Sequence, residues 1–291
     1  MGDGSDPVGA MLAVLDLSSS DARTTEDIFT GSSQNMPLGR IFGGQVLAQA
    51  IVAAERTMPD DRIAHSMHGY FLRPGDSDRG LTFSVDRIHD GRSFSTRRTQ
   101  AFQEGVPIFS MIASFESETP GLDHQATMPD DVPAPEEIGD VEATLTGLHP
   151  MTKRHFTERP IELRHVAAPI YTTVEGERTA HQAVWMRTRG PMPDDPRLHR
   201  AALAYMSDLT IQESVLRRHG VPWTRSGLKV ASLDHAMWWH RPGRVDEWLL
   251  YVQESPSARG GRGLATGRIF TRGGVLIASV AQEIMVRVPQ S

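Results

Sequence analysis

The chain has 291 residues and not one cysteine. That excludes disulfides, zinc–thiolate sites and a cysteine nucleophile. No apolar run approaches the roughly 18–20 residues needed to span a bilayer. Basic residues are outnumbered, with 30 Lys and Arg against 36 Asp and Glu, so the formal charge is −6. Nucleic acid is therefore a poor fit as a partner, since phosphate binding needs clustered positive charge. The short signatures G-x-S-x-G, H-E-x-x-H, Walker A and G-x-G-x-x-G are all missing, so serine-elbow, zincin, P-loop and dinucleotide chemistry have no support. No cofactor or metal is expected. Met1-Gly-Asp-Gly-Ser-Asp6 is acidic, unlike a signal peptide, and Val288-Pro-Gln-Ser291 is not a peroxisomal tripeptide. The default expectation is a cytoplasmic protein.

What the chain does contain is an internal repeat. His65-Ser-Met-His-Gly-Tyr-Phe-Leu-Arg-Pro-Gly75 resembles Asp234-His-Ala-Met-Trp-Trp-His-Arg-Pro-Gly243. The two Arg-Pro-Gly triplets lie 168 positions apart, and Gly105-Val106 and Gly274-Val275 follow at a shift of 169. A repeat of this size means a duplicated fold unit.

Each copy reads as one long helix and an antiparallel sheet. In the first, Gly43-Gly44-Gln45 opens a helix over Val46–Thr57 whose face is Leu47, Ala50, Ile51 and Ala54. Strands follow at Leu81–Val85, Ser93–Gln103 and Val106–Glu116, with a turn at His89-Asp90-Gly91 and a hairpin signal at Glu104-Gly105. Prolines and acidic residues from about 118 to 158 read as a surface linker, with one short helix at its end. In the second copy, strands are expected at Ile161–Val166 and His181–Arg189. A long helix should span Leu198–Arg218, with further strands at Leu228–His240, Trp248–Glu254, Arg262–Thr271 and Val275–Val288. The expected organisation is 1–118, a linker over 119–158, and 159–291. The fold class is α+β: two helix-wrapping antiparallel sheets joined into one continuous sheet, a double hotdog.

Three polar residues of the second copy fall on apolar faces. Asp208 lies beside the stripe Leu198, Ala201, Ala202, Tyr205 and Leu209. A carboxylate there is costly unless hydrogen-bonded or solvated in a cleft; the plainer reading is a wet residue at the stripe's edge. Gln282 interrupts the face Leu276, Ala278, Val280, Ile284 and Val286, and at a shift of 169 its counterpart is Ala113. Ser232 shares a face with Leu228 and Val230. Buried packing accounts for either residue alone. Together, a carboxylate, a hydroxyl and an amide can hold a water molecule, the carboxylate as general base.

The sequence resembles the acyl-CoA thioesterase II (TesB-like) family. The resemblance is carried by Ile41-Phe-Gly-Gly-Gln-Val-Leu-Ala-Gln-Ala50, His65–Asp76, Asp90-Gly-Arg-Ser-Phe-Ser95, Pro107–Phe115, Tyr205-Met-Ser-Asp-Leu209, Leu233–Pro242 and Glu247-Trp-Leu-Leu-Tyr251. It runs over nearly the whole chain. It implies hydrolysis of acyl-CoA to a fatty acid and CoA by an Asp, a Thr or Ser, and a Gln, which fall on Asp208, Ser232 and Gln282. It also brings forward His65, for which a backbone-bonded strand-end histidine is the plainer reading.

Gly43, Gly44 and Gln45 are the candidate oxyanion donors, at a helix start where glycine admits close approach; packing is the competing role. Arg92, Arg97, Arg98, Arg259 and Arg262 are candidates for the CoA phosphates, and Trp238, Trp239 and Phe71 for an acyl tunnel. The expected partner is the acyl-CoA substrate, together with further copies of the chain as a homodimer or higher homo-oligomer. The rival readings are a non-catalytic acyl-CoA binder or sensor and a hotdog enoyl-CoA hydratase. The hydratase lacks support, because its D-x-N-x-x-H pairing does not occur.

Overall fold

The computed structural model describes residues 6–21, 24–37, 39–139, 145 and 159–289. In chain order its elements are α1 (Pro7–Leu15), β1 (Ser18–Ser19), β2 (Asp27–Gly31), α2 (Gly43–Glu55), β3 (Ile63–Phe71), β4 (Leu81–Asp90), β5 (Phe94–Gln103) and β6 (Val106–Glu116). After the proline-rich stretch come β7 (Ile161–His165), β8 (His181–Thr188), α3 (Pro196–Ser207), α4 (Glu213–Arg218), β9 (Lys229–Ser232), β10 (Asp234–Trp239), β11 (Leu249–Arg259), β12 (Arg262–Thr271) and β13 (Leu276–Arg287).

All thirteen strands form one antiparallel sheet, ordered β1-β2-β4-β5-β6-β3-β10-β13-β12-β11-β8-β7, with β9 paired to β13 off that path. The double hotdog is therefore continuous through β3 and β10. Met67 stands opposite Met237, Ser66 opposite Trp238 and His68 opposite Ala236, the pairing a local twofold axis demands. The repeat extends to hydrogen bonds. Arg73 Nη1 donates to the Pro107 carbonyl at 2.8 Å, and Arg241 Nη1 donates to the Leu276 carbonyl at 3.1 Å. A Cβ on Gly75 or Gly243 would lie about one bond too close to Ile108 or Ile277, at 3.0 and 2.6 Å. Arg-Pro-Gly thus turns the chain off each central strand.

Register keeps the equivalence that the shift of 169 gives. The last hairpin of each copy is bulged at the same place, between Ala101 and Phe102 and between Ile269 and Phe270. Phe109 therefore answers to Ala278, Phe115 to Ile284, and Ala113 to Gln282.

Helix α2 is buried along its length from Gly44 to Glu55, not along one face alone. The sheet covers one side and α3 the other, and Ala48, Ala50, Ala53 and Ala54 permit that close approach. The expected helix over Leu198–Arg218 breaks after Ser207 into α3 and α4. The Ser207 hydroxyl lies 2.9 Å from the Ala204 carbonyl, a side-chain bond that competes with helical bonding. The strand expected over Leu228–His240 is likewise split, at Leu233, into β9 and β10. The Glu104-Gly105 hairpin has positive φ at both residues, 49° and 76°, as a type I′ turn requires.

The proline-rich stretch crosses the outer face of the second copy's sheet. Ala126, Met128, Val132 and Ile138 pack on Trp185, Trp248, Leu250 and Phe270. Trp185 Nε1 donates to the Pro133 carbonyl at 2.9 Å. The short helix expected at the end of this stretch lies outside the described residues. The corresponding outer face of the first copy is open, exposing Tyr70 and Ile112. No helix among the described residues is long and apolar enough to cross a membrane.

Candidate active site

Helix α3 ends where α2 begins, and Asp208 sits at that junction. It is the C-cap of α3, held at φ −88° and ψ −7°. A carboxylate at the end of its own helix faces an unfavourable dipole, but the start of another helix is favourable. The Gly44 backbone N–H of α2's first turn donates to it. Glycine is required for this approach. A Cβ at Gly43 would lie 2.6 Å from Asp208 Oδ2, and one at Gly44 would lie 2.4 Å from the Tyr205 carbonyl oxygen.

Gln282, on β13, and Ser232, at the end of β9, reach the same carboxylate. Gln282 Nε2 donates to Asp208 Oδ1 at 2.9 Å and to Ser232 Oγ at 3.0 Å. The Ser232 hydroxyl donates to Asp208 Oδ1 at 3.2 Å. Burial pushes the Asp208 carboxyl up from 3.8 to about 6, partly offset by bonds from Gln282, Ser232 and Gly44. The group is thus mostly ionised at pH 7, and its pKa is close enough to neutrality for a base.

These groups open on a cavity of about 770 Å³. Its walls include Ile41, Phe42, Val46, Phe71, Ile108 and Met285, and Asp208 and Ser232 face into it. Gln282 is fully buried behind them and does not line the cavity. A residue missed by the sequence reading does. Gln212 lies in the turn between α3 and α4, and its Nε2 donates to Ser232 Oγ at 3.0 Å. With one long helix expected there, Gln212 had no reason to turn toward Ser232. Two arginines, Arg40 and Arg73, also line the cavity.

The remaining candidates divide. Gly43 lines the cavity beside Asp208. The Gly44 N–H is engaged by Asp208. Gln45 points away: its Oε1 accepts from Gln34 N at 3.0 Å, and its Nε2 donates to Gln49 Oε1 at 3.0 Å. His65 is not brought to the site. Its Nε2 lies 2.8 Å from Ser114 Oγ, and its ring packs on Phe94. None of Arg92, Arg97, Arg98, Arg259 and Arg262 lines the cavity. Arg97 is buried on Thr57 and Asp90, Arg98 pairs with Asp86, and Arg262 pairs with Glu283. Phe71 is a wall residue, whereas Trp238 packs edge-on against His68 at the outer face and Trp239 is core.

A second central-strand histidine, His235 of β10, does reach the site. It is fully buried, with Nδ1 on Gln282 Oε1 and Nε2 2.9 Å from Ser207 Oγ.

Comparison with known proteins agrees with this architecture. The family model described as acyl-CoA thioesterase matches residues 151–285, and that described as acyl-CoA thioesterase N-terminal domain matches 32–116. Acyl-CoA thioesterase 2 of Haemophilus influenzae is 39% identical over 89% of this chain and 92% of its own. Human acyl-coenzyme A thioesterase 8 is 37% identical over 99% and 93%. The crystal structure of acyl-CoA thioesterase II TesB2 from Mycobacterium marinum superposes with a TM-score of 0.79 at 44% identity, covering 96% of this chain and 99% of that one.

Proposed function

The chain belongs to the acyl-CoA thioesterase II family, and we propose on that premise that Asp208 and Ser232, backed by Gln282, activate the water that hydrolyses its thioester substrate. The enzyme is a thioester hydrolase acting on acyl-CoA. The observation that carries the triad reading is the mutual bonding of Asp208, Ser232 and Gln282 within 3.2 Å at the wall of one largely apolar cavity.

In this reading the acyl chain lies along the apolar wall, and water sits on the cavity side of Asp208. The carboxylate takes a proton from the water as its oxygen attacks the thioester carbonyl. The Gly43 N–H, at the positive end of α2, faces the carbonyl oxygen as it gains negative charge. When the tetrahedral species collapses, the C–S bond breaks and the departing thiolate takes the proton from Asp208. Ser232 and Gln212 supply polar contacts to the water, while Gln282 holds Asp208 and Ser232 together from behind.

Residues 159–291 supply these water-activating groups. Residues 1–118 supply the start of α2 and much of the apolar wall. The open outer face around Tyr70 and Ile112 supports a homo-oligomer, and the cytoplasm is the location we favour for it.

The test is release of CoA from acyl-CoAs of graded chain length, read with a thiol-reactive dye. The chain has no cysteine and contributes no background. Turnover by the wild type, lost in Asp208→Asn and reduced in Ser232→Ala, is the expected result. Binding of acyl-CoA without CoA release at any length would favour the sensor reading.

A further inference from the structure

A second layer of buried groups stands behind the site, and one of them has no role in the steps above. His235 is fully buried at the central strand pair and touches Gln282 through Nδ1 and Ser207 through Nε2. Gln282 cannot select its own orientation by shape, because its amide oxygen and nitrogen are nearly the same size. Chemistry must choose. The nitrogen has to face Asp208 and Ser232, since Asp208 Oδ1 offers only lone pairs. The oxygen then faces His235, and only an N–H on Nδ1 satisfies it. The other ring nitrogen is left as an acceptor, 2.9 Å from Ser207 Oγ, whose single proton it shares with the Ala204 carbonyl.

We propose that His235 is a positioning residue: its Nδ1–H fixes the Gln282 amide so that Nε2 is presented to Asp208 and Ser232. The proposal rests on the Asp208–Ser232–Gln282 reading and extends it by one shell. Burial drives the imidazole down to about 4, so the ring is neutral through the working pH range. A neutral ring has one N–H, and its place decides the amide's orientation. Were the proton on Nε2, Nδ1 would accept, the amide would turn over, and its oxygen would face the carboxylate.

Ser207 makes the arrangement local to the base. It directly precedes Asp208, and its carbonyl accepts from Tyr251 Oη at 3.1 Å. One buried relay, Ser207–His235–Gln282, thus links the end of α3 to β10 and β13. The repeat isolates the function further. The paired Met67 and Ala113 stand in the first copy where His235 and Gln282 stand in the second, so the first copy has neither the imidazole nor the amide.

The experiment compares His235→Leu, which removes the donor, with His235→Asn, whose Nδ2 lies where Nδ1 was. In Leu, kcat is expected to fall about 10- to 100-fold with KM within about threefold, as for loss of a buried orienting hydrogen bond. The acidic limb of kcat/KM should move above pH 6, because Asp208 loses a bond that favours its ionised form. Asn should recover most of kcat and return the limb.

In a Gln282→Leu background, His235→Leu should cost nothing further. A full additional loss there would overturn the proposal, as would equal losses in Leu and Asn with an unmoved limb, or an unchanged kcat in Leu. If Gln282→Leu itself leaves kcat intact, the triad reading fails at Gln282 and the proposal with it; that result differs from a silent His235→Leu beside a damaged Gln282→Leu. Should the Leu variant not fold, nitrogen-15 NMR of the wild type decides. A proton on Nδ1 supports the proposal and a proton on Nε2 overturns it.

Discussion

Replacing Asp208 with Asn should slow the enzyme and stabilise the protein at once. Burial raises the carboxyl from 3.8 to about 6. At about 1.36 kcal/mol per pKa unit, keeping it ionised in the folded state costs about 3 kcal/mol. The folded carboxyl holds its proton more tightly than the unfolded one, so the penalty is absent below about pH 4. It grows as pH rises and is complete above about pH 6. Asn has nearly the same shape and never ionises. Its NH2 would face the Gly44 N–H, losing about 1 kcal/mol. The net gain at pH 7 is about 2 kcal/mol, which for a chain of this length raises Tm by about 3 °C.

Turnover should fall about 10²- to 10⁴-fold, the usual contribution of a general base. The assays are thermal unfolding of both proteins between pH 4 and 8, and CoA release at pH 7. Turnover within threefold of wild type would refute the base assignment. A lower Tm at pH 7, or a stability gap that does not widen between pH 4 and 6, would refute the assignment of the cost to burial.

Three further outcomes follow from the same geometry. The wild-type kcat/KM should rise with pH through a midpoint near 6, as Asp208 ionises, and a pH profile on saturating and limiting substrate checks it. Gly44→Ala places a Cβ 2.4 Å from the Tyr205 carbonyl oxygen; denaturant unfolding should show a loss of about 1–3 kcal/mol, as for overpacking elsewhere, with reduced turnover because α2 is pushed off Asp208. Glu55, buried at the far end of α2 and pushed up to about 8 by desolvation, destabilises the fold increasingly as pH rises from about 4.5 to 8. Glu55→Gln should therefore gain about 4 kcal/mol more at pH 8 than at pH 5, with CoA release unchanged.

Much of the architecture was legible in the letters. The repeated Arg-Pro-Gly, the alternation in β4 and β13 and the Glu104-Gly105 turn are local patterns, and the strands and hairpin appear where those patterns place them. The residue types at Asp208, Ser232 and Gln282 stood out because polar groups interrupted apolar faces. Periodicity shows which way a side chain points, however, and not what it meets. Asp208 and Gln282 are 74 positions apart, and Gln212 and Ser232 are 20 apart. Those contacts exist only once α3 breaks at Ser207 and β9 breaks from β10 at Leu233. A continuous apolar stripe hides the first break, and continuous strand propensity hides the second.

His65 and His235 are separated by the same rule. Both are histidines on the central strands, and only their partners across the sheet decide that one meets a serine and the other the amide behind the carboxylate. The sequence by itself determined the duplicated sheet, the family and the kinds of group available for chemistry, because these depend on local pattern and composition. The tertiary structure decided which groups share a hydrogen bond, which face the cavity and which stand behind. Burial and bond partners are properties of distant segments brought together, and they set the charge of Asp208 and the orientation of Gln282.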